Sequence, residues 1–166
     1  GLNSVGILSA GGVGKVMAPW IVDGQPAADY NGIDIRRNPR FMRNRSNRFE
    51  SRWSTVRITT SPAIMFKGRA GSNLGIWVAH GEGRLVFPNQ EIKERMIDDG
   101  LISLVFTDDD GRTTEQYPFN PNGSPYGITG ICSLDGRHLA MMPHPERAFL
   151  KWQWPWLPEK LDREWT

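Results

Sequence analysis

The stretch Ile128–Phe149, ITGICSLDGRHLAMMPHPERAF, joins a strand–turn–strand pattern to a histidine placed just beyond it. Ile128 to Ser133 and His138 to Met142 flank Asp135-Gly136, a dipeptide suited to the positive φ of a hairpin turn. His144 follows the second strand and would project past its end, the usual place for function in open α/β sheets. Pro143 and Pro145 fix φ on either side of it and delay any helix. Glu146 is within reach of the imidazole Nδ1, and held there it would leave Nε2 to take a proton from a thiol. The same residues also fit a proline-marked helix start in which Glu146 complements the helix dipole. On the residues alone the two readings stand level.

The chain has one thiol to offer such a histidine, Cys132. It lies inside the apolar run GITGICS, a packed strand position where cysteine is usually inert. A nucleophilic cysteine of this kind belongs at a tight strand-to-helix turn, where backbone amides lower its pKa and form an oxyanion hole. No such turn surrounds Cys132, which therefore reads as structural.

At 166 residues the chain suits one domain with a real core, and 39% apolar with 23% charged residues excludes wholesale disorder. No apolar run approaches the length of a membrane span, and no signal-peptide pattern opens the chain. A single cysteine excludes an intrachain disulfide and fits a reducing compartment such as the cytosol. The net charge of +2 does not by itself argue for a nucleic-acid partner. The first residues, Gly1-Leu2-Asn3, suit a processed or partial product.

From the hairpin back toward the N-terminus, the pattern is β-rich. Trp53 to Thr59 alternates, as does Ala63 to Phe66; Gly75 to Ala79 is a compact strand ending at His80, and Leu85 to Phe87 is a short one. Glu91 to Asp98 predicts a helix with Ile92, Met96 and Ile97 inward, closed by Gly100. Ile102 to Thr107 and Thr113 to Tyr117 flank Asp110-Gly111, a second hairpin signal. The tryptophan-rich tail after Lys151 has little room for a helix.

Other motifs carry weaker chemistry. Arg36 to Arg52 holds seven arginines against one acid, Glu50. It reads as a phosphate-binding arm or, favoured by its asparagine, serine and proline, as a solvated loop. AHGEGR places His80 and Glu82 between glycines in an open loop, a poor metal site with so few ligands. NPNGSP, from Asn120, is a turn by chemistry. GGVGK, Gly11 to Lys15, fails as a Walker loop because Ser9 stands at the first glycine position and Val16 follows the lysine. Gly11, Gly12 and Gly14 could still bring backbone amides to an anion or a flavin edge, and Val13 to Ile21 has helical spacing.

FMRNRSNRFESRW, AHGEGR, DDDGRTTEQYPFNPNGSPYGITGICSLDGRH and MMPHPERAF, in this order and spacing, resemble the C-terminal glutamine amidotransferase domain of the phosphoribosylformylglycinamidine synthases. The resemblance covers about residues 41–166. It implies a class I, flavodoxin-like α/β domain, present in part, with a Cys-His-Glu triad whose histidine and glutamate fall on His144 and Glu146. It also implies glutamine as substrate, a purine-synthesis ligase, and ATP and Mg in a synthetase region outside this chain. The family's cysteine elbow precedes the RNRSNRFESR block, and nothing before Arg43 matches it. The isolated chain is therefore expected to bind no cofactor, to hydrolyse no glutamine and to fold with an unpaired sheet edge.

The first 37 residues, with the exit GIDIRR, resemble the end of the FAD-binding domain in the dimethylglycine and sarcosine dehydrogenase group. That implies an alternative, a flavin-dependent oxidoreductase fragment using Gly11, Gly12 and Gly14. The composition break near Asn38 to Phe41 then marks a junction between residues 1–37 and 38–166.

Overall fold

The computed structural model describes residues 39–156. Gly11, Gly12, Gly14, the helix expected over Val13 to Ile21 and the last ten residues lie outside them.

Among the described residues seven strands and one α-helix follow in chain order: β1 Arg40–Met42, β2 Glu50–Ile58, β3 Asn73–His80, β4 Arg84–Val86, α1 Gln90–Asp98, β5 Ile102–Thr107, β6 Ile128–Cys132 and β7 Leu139–Met141. Five strands form one sheet in the order β3-β2-β5-β6-β7, while β1 and β4 pair separately. Every described pairing is antiparallel. The expected α/β class thus holds in a sheet-dominated form.

Alternation along the strands selects the faces. On β2, Ser54, Val56 and Ile58 are buried, and on β3 so are Ile76, Val78 and His80, as the two-residue period requires. Val56, Ile58, Ile76, Val78, Leu104 and Phe106 build the main core cluster, and Met141 joins it from the far edge. A second cluster, Leu85, Val105 and Ile128, fills the opposite face. One further antiparallel bridge, Trp77 to His144, links the outer strand β3 with the segment leaving the opposite outer strand β7. The sheet therefore curls until its two edges meet at His144.

The Asp135-Gly136 hairpin forms as expected, with Gly136 at φ +68° and β6 paired to β7. The Asp110-Gly111 turn also forms, but Thr113 makes only one bridge, to Thr107, and no second strand follows. Ala63 to Phe66 is not a strand: Ile64–Phe66 is a 3₁₀ turn. The four residues are all apolar, which sets no strand period, and the backbone bonds locally, Phe66 N–H to the Ala63 carbonyl. Helix α1 starts where Asn89 accepts a hydrogen bond from the N–H of Ile92 and ends before Gly100 at φ +67°. None of its residues is fully buried, and Ile97 is 40% exposed rather than inward.

Candidate active site

His144 is buried (4% exposed), and its Nδ1 stands 2.6 Å from Oε1 of Glu146. A carboxylate only accepts, so Nδ1 is the donor in this pair. Position comes from the backbone: β7 ends at Met141, and the N–H of His144 donates to the carbonyl of Trp77 at 2.8 Å. Pro145 opens a 3₁₀ turn, Pro145–Arg147, which swings Glu146 back toward the ring it follows. Both sequence readings are thus partly realised: a helical turn does start here, and the glutamate serves the histidine rather than the turn. The Glu146 side chain remains 55% exposed and also approaches Arg147 at 4.0 Å.

The segment after the turn is held by tryptophans on the outer face of β2 and β3. Trp53 and Trp77 are register partners and meet edge-on at 5.3 Å between centroids; Trp154 leans on Trp53 at 4.9 Å. Trp77 Nε1 donates to the carbonyl of Gln153, and Trp154 Nε1 to that of Ala148. Gly75 is glycine because a methyl there would overlap the Trp53 ring.

His80 lies beside His144, with ring centroids 5.8 Å apart. It ends β3 on the buried face, in register with the buried Glu50. Its Nε2 is 3.0 Å from Oδ1 of Asn122. Burial outweighs that hydrogen bond, which favours the charged form, and with a smaller contribution from the neighbouring His144 lowers its pKa to about 4. Glu82 stays on the exposed side of the same loop.

Three asparagines that sequence reading passed over as turn residues organise this end of the molecule. Asn44, almost wholly buried, donates through Nδ2 to the carbonyls of Arg48 and His80, and its Oδ1 accepts from Gly83 N. Asn120 accepts from the N–H groups of Gly123 and Ser124 and donates to the Ser124 carbonyl. That closes the NPNGS turn and delivers Asn122 to His80. The arginine-rich stretch is accordingly not a solvated loop throughout: it forms β1, wraps the buried Asn44 and runs into β2. The available signal was asparagine recurring in two separate loops, NRSN from Asn44 and NPNGS from Asn120, a residue able to satisfy donors and acceptors together.

Between these loops opens a cleft of about 480 Å³ lined by Arg45, Arg48, Glu50, Glu115, Tyr117 and Asn120, among others. It offers paired cations and carboxylates. Cys132 is buried in β6, its Sγ 3.6 Å from the Leu101 carbonyl, and burial raises its pKa. It takes no part in the His144–Glu146 pair. Among the described residues no three His, Cys, Asp or Glu side chains stand together as metal ligands.

The profile of the family described as CobB/CobQ-like glutamine amidotransferase domain matches residues 20–166. The chain belongs to this family. Its amidotransferase match begins inside the segment read as a flavin-domain end. Similar curated proteins are the probable phosphoribosylformylglycinamidine synthase, chloroplastic/mitochondrial, of Arabidopsis thaliana, 59% identical over 139 residues, and the phosphoribosylformylglycinamidine synthases of Dictyostelium discoideum, 52% over 132, and Homo sapiens, 51% over 140. These alignments cover 84%, 80% and 84% of the chain, and 10% of each relative. The chain thus spans about a tenth of the length of the curated relatives it matches. A structure of PurLQS from Thermotoga maritima aligns with TM-score 0.50 and 24% identity over 70% of this chain and 46% of that one. It supports the expected class I amidotransferase fold. The names of these relatives lend the flavin reading no support. Among the described residues no helix is long and apolar enough to cross a membrane.

Proposed function

We propose that this amidotransferase chain is the C-terminal part of the glutamine-hydrolysing domain of a phosphoribosylformylglycinamidine synthase. The observation that carries the reading is the buried His144 with Nδ1 2.6 Å from Glu146. In this scheme His144 Nε2 takes the proton of a cysteine thiol, and the resulting thiolate attacks the glutamine side-chain amide. The imidazolium then returns the proton to the departing ammonia, leaving a thioester that water hydrolyses to glutamate. Glu146 orients the ring and stabilises its charged form, as the third member does in other triads. The thiol comes from outside residues 1–166, because Cys132 is committed to the sheet core.

The cleft between the asparagine loops supports glutamine as the substrate class, since Arg45 and Arg48 suit a carboxylate and Glu50 and Glu115 an ammonium. In the whole enzyme the ammonia passes to a synthetase region that uses ATP and Mg to convert a formyl amide into an amidine. The described residues hold neither cofactor in this scheme. Cytosol is the proposed compartment, although the Arabidopsis relative is named for organelles.

A chimaera tests the reading: this chain's residues replace the matching 140-residue stretch of the human relative. It is expected to release glutamate from glutamine and to lose that activity with His144→Ala. A folded chimaera that binds glutamine without hydrolysing it overturns the proposal. The isolated chain is expected to release no ammonia.

A further inference from the structure

We propose that His80 is a positioning residue for His144, a buried imidazole wall anchored by Asn122 that holds the neighbouring ring in its working orientation. The inference rests on reading His144 as the base. Among the described residues His80 pairs with no carboxylate, yet the fold clamps it from three sides. Its Nε2 meets the Asn122 amide at 3.0 Å, and its carbonyl accepts from Asn44 Nδ2 at 2.8 Å. Beside it stands Gly83, where a Cβ would overlap both the His80 ring and the Asn122 amide. The ring left in that slot faces His144 at 5.8 Å between centroids and a 42° interplanar angle, with both residues at most 5% exposed.

That contact matters because Glu146 meets the His144 ring at Nδ1, from the solvent side. A hydrogen bond at one atom sets a point of the ring, and a flat neighbour on the inner side sets its plane, which is how a surrounding shell usually holds a site residue. The wall must also stay uncharged, because His144 becomes an imidazolium during the reaction and a second cation alongside would oppose it. The groups facing His80 are His144, Arg147, the Met142 backbone and Asn122, with Glu50 its cross-strand neighbour. Burial keeps His80 neutral among them. A histidine serving only sheet stability would also be buried, but the His144 ring would not depend on it.

The test uses the chain labelled with ¹⁵N in its imidazoles, which number three: His80, His138 and His144. Two-bond ¹⁵N–¹H spectra from pH 5 to 8 are expected to show His80 neutral throughout and His144 with its proton on Nδ1. In His80→Ala the His144 signals should shift to a tautomer mixture, with Nδ1 proton exchange at least tenfold faster. His80→Phe, which keeps a flat ring, should restore both. Unchanged His144 signals in folded His80→Ala overturn the proposal. If His80→Ala does not fold, Asn122→Ala carries the same readout with the same two outcomes. If neither folds, a wild-type His80 that gains charge between pH 5 and 8 overturns the proposal. None of these spectra requires glutamine hydrolysis, so failure of the chimaera and failure of the wall are separate results.

Discussion

The main-chain N–H of His144 donates to the carbonyl of Trp77 at 2.8 Å. This one bond joins the His-Pro-Glu turn to an outer strand, and the Trp77 indole holds the chain nine residues later through Gln153. Trp77→Phe keeps a ring against Trp53 but deletes the indole donor. It should cost about 0.5–1.5 kcal/mol, the usual net worth of one hydrogen bond, in urea unfolding. Gly75→Ala pushes a methyl into Trp53 and should cost about 1–3 kcal/mol. Equal midpoints for wild type and Gly75→Ala would show that the indole yields without strain.

Glutaminase activity of the chimaera should separate the two members of the pair. His144→Ala is expected to lower kcat by about 10²–10⁴-fold, the range for a general base. Glu146→Gln retains an oxygen able to accept from Nδ1 but loses the charge that stabilises an imidazolium, so it should fall between wild type and Glu146→Ala. Identical kcat for Glu146→Ala and wild type would remove the glutamate from the mechanism.

Stability should depend on pH through His80. The unfolded chain binds a proton at His80 near pH 6.5, whereas the folded chain resists it until about pH 4. Between those values the unfolded state holds more protons, so stability is full above about 6.5 and falls as the pH drops toward 4. The loss at the bottom of that window is on the order of 3 kcal/mol. His80→Gln should flatten this part of the profile; denaturant midpoints at pH 7 and pH 4.5 for both proteins measure it.

Cys132 should behave as core. In the native chain a thiol reagent should modify it only as fast as the protein opens, and Cys132→Ser should leave chimaera hydrolysis at the wild-type rate. Rapid native-state labelling, or activity lost with Cys132→Ser in a folded chimaera, would contradict its assignment to the sheet.

Local chemistry was legible wherever one signal dominated. Asp135-Gly136 between apolar runs made a hairpin, and a strand ended at His80. Gly100 closed a helix close to its expected span. Legibility failed where a partner strand decided the outcome. Ala63 to Phe66 is apolar enough for a strand but closes locally as a 3₁₀ turn, and Thr113 to Tyr117 drifts from β5 after a single bridge. Of the residues expected inward on α1, Ile92 and Met96 are half-buried and Ile97 is exposed.

By itself the sequence determined the residue types of the His144–Glu146 pair, the proline spacing that lets them meet, and the exclusion of Cys132 by its apolar run. These follow from short-range geometry, which a few residues contain completely. Only the tertiary structure decided that His80 stands beside His144, that Asn44 and Asn122 anchor that neighbourhood, and that tryptophans pin the chain beyond Glu146. His80 and His144 are separated by most of the sheet along the chain. They meet because its two edges curl together, a consequence of long-range strand order and packing that no local pattern encodes.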